Sequence, residues 1–196
     1  MLAVSRHLGL NPEIHDVNVY RGEGLSPGYL AINPTGKIPT LVDGEFVLAE
    51  SNAIMLYLAE AHGCNQLWSS EPQQRGRIAQ WLFWESAHWQ PNLIALLSEL
   101  VGHRLLPERN PRPTQAPDWS NGVVQPILNF LERGLSANAF LAGSAATIAD
   151  FAVAGMTTYF RAADFPFQRF PKIAAWYARI ETLEAWHATR SPLWAE

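Results

Sequence analysis

Apolar positions along the chain recur with two different periods. Leu2, Val4 and Leu8 fall at helical spacing, so residues 1–10 are predicted to be a helix that Gly9 stops. The run Ile14-His15-Asp16-Val17-Asn18-Val19 alternates and predicts a strand. Residues 21–32 are a polar Gly/Pro loop with room for one helical turn. Thr40-Leu41-Val42 and Phe46-Val47-Leu48 are short apolar strands around Asp43-Gly44. An Asp-Gly pair supplies the positive φ angles of a tight hairpin. Ser51 is then placed to cap a helix in which Ile54, Tyr57, Leu58 and Ala61 recur, with Gly63 as its end.

After a linker at 64–71, one long helical pattern runs from Arg75 to about Leu106, marked by Ile78, Leu82, Glu85, His88 and Trp89. Pro91 removes a backbone donor in mid-run and predicts a kink. The proline-rich segment 107–118 reads as an exposed loop. A second helix is predicted over 119–139, with Ile127, Leu128, Leu131 and Leu135 inward and Pro126 as a bend or a start. Thr147-Ile148-Ala149-Asp150 has the form of a capping box, and the small apolar run FAVAGM behind it predicts a central core helix. Lys172 to Leu183 form another helix around Ile173, Trp176, Tyr177 and Ile180. A tail from Glu184, with Trp186 and Trp194, is expected to pack as a short helix.

Composition narrows the classes of function. Hydrophobic residues make up 48% of the 196, enough for a substantial core. A net charge of −4 without a basic patch argues against nucleic acid as partner. The single cysteine, Cys64, allows neither an internal disulfide nor a Cys-x-x-Cys pair and suits a reducing compartment. Its place at a helix end favours a structural role. The segment MLAVSRHLGL lacks the parts of a signal peptide, and no apolar run approaches the ~20 residues of a membrane span, so a cytoplasmic protein is expected. The six histidines are scattered, and no metal cluster, nucleophile elbow or Walker loop occurs.

Chemistry concentrates at two seams of the stretch NPTGKIPTLVDGEFVLAESNAIMLYLAE, residues 33–60. Lys37-Ile38-Pro39 enters the first strand, where a proline belongs at a strand start or turn. With a cis bond before Pro39, Ile38 can offer its N–H and C=O to an extended ligand. Glu50-Ser51 opens the helix. Free N–H groups and a hydroxyl there hold a carboxylate, and an acidic neighbour takes an ammonium. Together they suit the zwitterionic head of an amino acid.

Joined in this order and spacing, the pieces closely resemble the glutathione-binding part of the glutathione transferase family, of the soluble, bacterial type. The resemblance covers nearly the whole chain, strongest over 33–60 and 140–155. It implies a fold of α/β plus all-α character. Residues 1–64 would be an incomplete thioredoxin-like domain that binds glutathione, and residues 72–196 an all-helical C-terminal domain. It implies that Lys37, Ile38, Pro39, Glu50 and Ser51 bind glutathione as co-substrate. Ile38 would pair with the cysteinyl backbone, and Glu50-Ser51 would take the γ-glutamyl head. Lys37 would lie near the glycyl carboxylate. It places Trp84 and His88, on the bent first helix of the second domain, toward a pocket for a small apolar electrophile. A homodimer with a role in detoxification is the family's usual form.

The family's first strand and the loop behind it have no counterpart here. The chain starts inside the first helix, so the strand at 14–19 would lose its ladder partner. That loop carries the family's activating Tyr, Ser or Cys. Ser5 sits on the helix body and is no substitute, so the catalytic residue is unknown. A start at an internal methionine explains this better than a degraded relative, because the downstream binding residues are complete. A free thiol has a pKa near 8.5, and lowering it by ~2 units takes about 2.7 kcal/mol of thiolate stabilisation. Three functions are compatible with these residues. One is a transferase that conjugates glutathione. The others are a non-catalytic transferase-like scaffold and a glutathione-dependent reductase, lyase or isomerase.

Overall fold

A computed structural model describes residues 1–63 and 65–189. Cys64 and Trp194, named above, lie outside the described residues. Helix α1 spans Leu2–His7 and buries Ala3, Val4 and Ser5. Gly9 ends it at φ +73°, a conformation that glycine adopts freely. The strand expected at 14–19 is absent. Residues 11–18 run without ladder bonds and mostly exposed, and a 3₁₀ turn begins at Val19. Among the described residues no strand lies alongside to take its backbone groups. Asn18 instead caps the 3₁₀ turn, its Oδ1 accepting from the Arg21 N–H at 3.1 Å.

Helix α2 (Pro27–Ile32) is capped by Ser26, with proline in its first turn. The sheet has two strands, β1 (Thr40–Asp43) and β2 (Phe46–Ala49), paired antiparallel with Thr40 opposite Ala49 and Asp43 opposite Phe46. The hairpin thus turns one residue later than its Asp-Gly pair suggests. Asp43 stays in the ladder and Gly44-Glu45 make the turn, with Gly44 at φ +60°. Glycine at the first central position is what a II′ hairpin requires. Helix α3 (Ser51–Ala61) follows. Ser51 does not cap it: Glu50 occupies the cap position and Ser51 is already helical.

The remainder is helical. Helix α4 (Pro72–Trp84), a π-helical turn (Glu85–Trp89) and α5 (Gln90–Leu105) form one continuous rod. The kink predicted at Pro91 is realised as this wide turn. Proline cannot donate backward, and its ring would crowd the carbonyl four residues earlier. The Gln90 N–H reaches the Glu85 carbonyl, five residues back. Helix α6 (Val124–Gly134) starts where the Asn121 Oδ1 accepts from the N–H groups of Val123 and Val124. Helices α7 (Ile148–Thr157), α8 (Pro171–Glu181) and α9 (Glu184–His187) complete the chain. No helix among the described residues is long and apolar enough to cross a membrane.

One continuous core joins both parts, from Val4, Met55 and Ala59 through Leu82, Leu97 and Leu128 to Trp176. Helix α7 lies at its centre, with nine of its ten residues buried and α1, α3, α4, α5 and α8 packed around it. The buried indoles of Trp89, Trp119 and Trp176 each donate, to the Val153 carbonyl, the Ala163 carbonyl and Asp150 Oδ1, all at 2.9 Å. The start of α7 is fixed by the Asp150 carboxylate, which is fully buried. It accepts from the N–H groups of Leu141 and Thr147 at 2.9 Å, from the Thr147 hydroxyl at 3.1 Å and from Trp176 Nε1. Removing it leaves three buried N–H donors without a partner. Asp150→Ala is therefore expected to lower stability by about 3–5 kcal/mol. Denaturant unfolding would read this as a fall in midpoint at unchanged slope.

Candidate functional site

The loop ahead of β1 is held from beneath. Asn33 is buried, and its amide donates to the Lys37 carbonyl at 2.8 Å and to Thr40 Oγ1 at 2.9 Å. Its Oδ1 accepts from the N–H and the hydroxyl of Thr35. Tyr29 Oη reaches the same Lys37 carbonyl at 2.7 Å and lies 2.9 Å from Thr40 Oγ1. Gly36, at φ +66°, presses against Gly24 so closely that a Cβ on either would meet the other's carbonyl oxygen. The sequence reading passed over Asn33 and Tyr29. A polar residue four and eight positions ahead of Lys37, where the proline seam begins, was their only signal.

This brace leaves the outer edge of the loop unoccupied. The Ile38–Pro39 peptide bond is cis. Ile38 is 51% exposed, and among the described residues its N–H and C=O make no hydrogen bond. Lys37 is exposed beside it. The hairpin register then joins the two seams. Because Thr40 pairs with Ala49, Pro39 and Glu50 flank the same end of the ladder. Glu50 sits at φ +70°, a conformation that costs a non-glycine residue about 1–3 kcal/mol. Such strain persists where the surroundings enforce it, and here a strand must end and a helix begin within one residue.

Ser51 opens into a cleft of ≈ 500 Å³ between α3, α5 and α7. Glu85, Gln90, Ile94, Ser98 and Val101 line one side, and Phe151, Gly155, Met156 and Tyr159 another. The volume is that of a small-molecule site, and its lining mixes apolar side chains with the polar groups of Tyr20, Ser51, Glu85, Gln90 and Ser98. Glu85 is buried in it, and so is the Met1 amino group, whose pKa burial lowers to about 6 against the opposing pull of Glu85. The wide π turn carries Glu85, and Asn52, the neighbour of Ser51, donates to its Oε2 at 2.9 Å. Burial raises its pKa above the usual carboxylate range, and the hydrogen bonds from Asn52 and Ser86 offset this only in part. Burial also raises the Tyr159 phenol. Glu85 appeared in the sequence only as a position on a helical stripe, since a π turn has no signature there.

Two expected pocket residues fall elsewhere. Trp84 packs with its ring 5.2 Å from Trp81, 5.3 Å from Phe130 and 5.4 Å from Trp89, in an aromatic cluster behind the cleft wall. His88 is exposed, and neither residue lines the cleft. The cause is the π turn, which shifts the helix register so that Glu85 and Gln90 face inward. Among the described residues no group of His, Cys, Asp and Glu is arranged to hold a metal.

Residues 1–60 match the family model described as "Glutathione S-transferase, N-terminal domain", and residues 118–179 that described as "Glutathione S-transferase, C-terminal domain". The chain is similar to Glutathione S-transferase F10 of Arabidopsis thaliana, 34% identical over 184 residues that cover 91% of this chain and 84% of the relative. Among solved structures it is similar to a Bombyx mori glutathione transferase in complex with GTT. That likeness has a TM-score of 0.84 at 27% identity and covers 98% of this chain and 86% of the other. A glutathione S-transferase from Pseudomonas fluorescens gives a TM-score of 0.79 at 28% identity, covering 97% and 90%.

The raised Glu85 pKa makes stability depend on pH. The folded carboxyl binds its proton more tightly than the unfolded one, so stability is lost as pH rises from the usual carboxylate value to the folded one. Glu85→Gln removes the buried charge and keeps an oxygen for Asn52. It is expected to melt above wild type at neutral pH, with the difference closing toward about pH 4. Thermal melts across that range would check it.

Proposed function

Because the chain belongs to the glutathione transferase family, we propose that Lys37, Ile38, Pro39, Glu50 and Ser51 form its glutathione site. The protein is a glutathione transferase, an enzyme that takes glutathione as co-substrate and joins its thiol to an electrophile. This activity is favoured over a scaffold and over a reductase, lyase or isomerase, because the relatives above carry it in their names.

One observation carries the site assignment: the hairpin register sets Ile38–Pro39 and Glu50–Ser51 at one end of the ladder, at the mouth of the cleft that Ser51 lines. The unpaired N–H and C=O of Ile38 offer the cysteinyl backbone two strand-like hydrogen bonds. The first turn of α3, with the Ser51 hydroxyl, offers its free N–H groups to the γ-glutamyl carboxylate. Glu50 stands beside them for the ammonium. Lys37 faces the glycyl carboxylate. Held by both ends and its spine, the tripeptide would carry its sulfur into the cleft, where the thiol gives up its proton and the thiolate attacks the electrophilic carbon. A carbon–sulfur bond forms as the bond to the leaving group breaks and that group departs with the electron pair. The electrophile is apolar, because Ile94, Val101, Met156 and Tyr159 line its part of the cleft. None of these residues is assigned to the activation of sulfur.

The reading extends to organisation. Residues 1–64 bind glutathione, and 72–196 supply the wall for the acceptor. The protein works as a homodimer in the cytoplasm, where the reduced glutathione pool lies, in detoxification of electrophiles. Exposed apolar side chains support an interface between two copies. Phe83 is 76% exposed, and Phe46 and Val47 lie open on β2.

Glu50→Gln combined with Ser51→Ala is expected to abolish retention on immobilised glutathione while far-ultraviolet dichroism stays the same. Undiminished retention would refute the assignment. In sedimentation at micromolar concentration the wild type is expected to run as a dimer and Phe83→Asp as a monomer.

A further inference from the structure

We propose that the ion pair between Arg21 and Glu108 is a clasp that holds the glutathione loop, residues 33–39, in its binding position relative to α5. The proposal rests on the transferase reading above. It makes Arg21 and Glu108 positioning residues, and neither lines the cleft.

The pair joins segments 87 residues apart. Arg21 Nη2 donates to Glu108 Oε1 at 2.7 Å, and both side chains are about half exposed. Among the described residues no other ion pair joins residues 1–63 to the helical remainder. An exposed pair between two loose segments is worth little, because the ordering it requires offsets the attraction. Here the backbone on each side is already ordered.

On one side, residues 18–25 form a closed double turn. The Asn18 N–H donates to Glu23 Oε2 at 2.7 Å, and Asn18 Oδ1 accepts from the Arg21 N–H. Gly22, at φ +86°, reverses the chain between the two 3₁₀ turns. This unit meets the glutathione loop backbone to backbone, with Gly24 buried against Gly36, the residue before Lys37. A contact between two glycines has no side-chain joint, so a displacement of the turn passes directly to Lys37-Ile38-Pro39.

On the other side, Asn110 fixes the end of α5. Its Nδ2 donates to the carbonyls of Gly102 and Leu106 at 3.1 and 3.0 Å, and the N–H groups of Arg109 and Asn110 reach the same Leu106 carbonyl. Glu108 therefore rides on a tight turn directly behind α5. Tyr20, beside Arg21, lines the same cleft as Val101 and Gly102 of α5, so the clasp spans the two sides at that end. Without the pair, the loop keeps its brace of Asn33 and Tyr29 but loses its ionic tie to α5. The fraction of molecules with both seams in place falls, and the apparent affinity for the tripeptide falls in proportion.

The test is a double-mutant cycle read by calorimetry with S-methylglutathione on the full chain. Arg21→Gln and Glu108→Gln are each expected to weaken binding about two- to fivefold at low salt, the range of a pair this exposed. The double variant is expected to lose no more than the larger single. The cycle also separates the pair from Arg109, the other cation acting on Glu108. Arg21→Lys, which keeps the charge, is expected to recover most of the affinity. At about 1 M salt the screening length falls to about 3 Å, and the gap between wild type and the double variant is expected to close. That comparison cancels the salt dependence of the ligand's own charges, and a merely structural role would survive the salt. Losses that multiply in the double variant, a gap that persists at 1 M, or no loss in either single would overturn the clasp. Failure of wild type to bind S-methylglutathione would instead overturn the transferase reading, and the clasp with it.

Discussion

A buried carboxylate with four donors around it holds this structure in register. Asp150 ties together the turn at Leu141, the cap at Thr147 and the indole of Trp176 on α8. Each of those donors would otherwise be buried without a partner, so the network forms as a whole or not at all. Its consequence is the phase of α7. A helix shifted by one residue turns its faces by about 100°. Since α7 is buried on nearly every side, such a shift would drive Phe151 and Met156 out of the cleft and the open face of Gly155 into the core. The shape of this wall of the cleft is therefore decided at the far end of a capping interaction.

The loops at the open end of the hairpin depend on a different device. A short hairpin carries two loops to one place, and each loop is stabilised from the protein side only. Asn33 and Tyr29 take the inward carbonyl of Lys37 and leave the outward backbone of Ile38 unpaired. Glu50 is held in an unfavourable conformation so that strand and helix join without a spacer. Polar groups that a fold would normally satisfy internally are thus left without a partner among the described residues. The cost is borne by the buried Asn33 network and by the apolar face of α3 beneath, with Ile54, Met55 and Leu58 in the core.

The π turn connects these two ends. It widens the long helix by one residue ahead of Pro91, brings Glu85 against Asn52 and sends Trp84 back into the aromatic cluster. The place of Glu85 beside Asn52 and the face that the long helix turns to the cleft are both set by one irregular turn.

Much of this was legible in the sequence, because it depends on neighbours along the chain. The hairpin, the helix at Ser51, the capping segment at Thr147 and the core stripe of α6 follow from local spacing and turn chemistry. The two seams, Lys37-Ile38-Pro39 and Glu50-Ser51, also stand out by residue type and order, which are local. The order of the pieces also carried the family. What sequence left open depends on partners distant in the chain. The alternation at 14–19 reads as a strand, yet a strand exists only beside another. Ser51 has the chemistry of a cap, but the end of the ladder at Ala49 gives that position to Glu50. Trp84 and His88 share a helix with the cleft wall, and only the register after the π turn decides which side chains face it. Composition and spacing thus determined the elements and the chemistry at their ends. Tertiary packing alone decided which faces meet across the cleft, because a helix's rotation is set by what it is buried against.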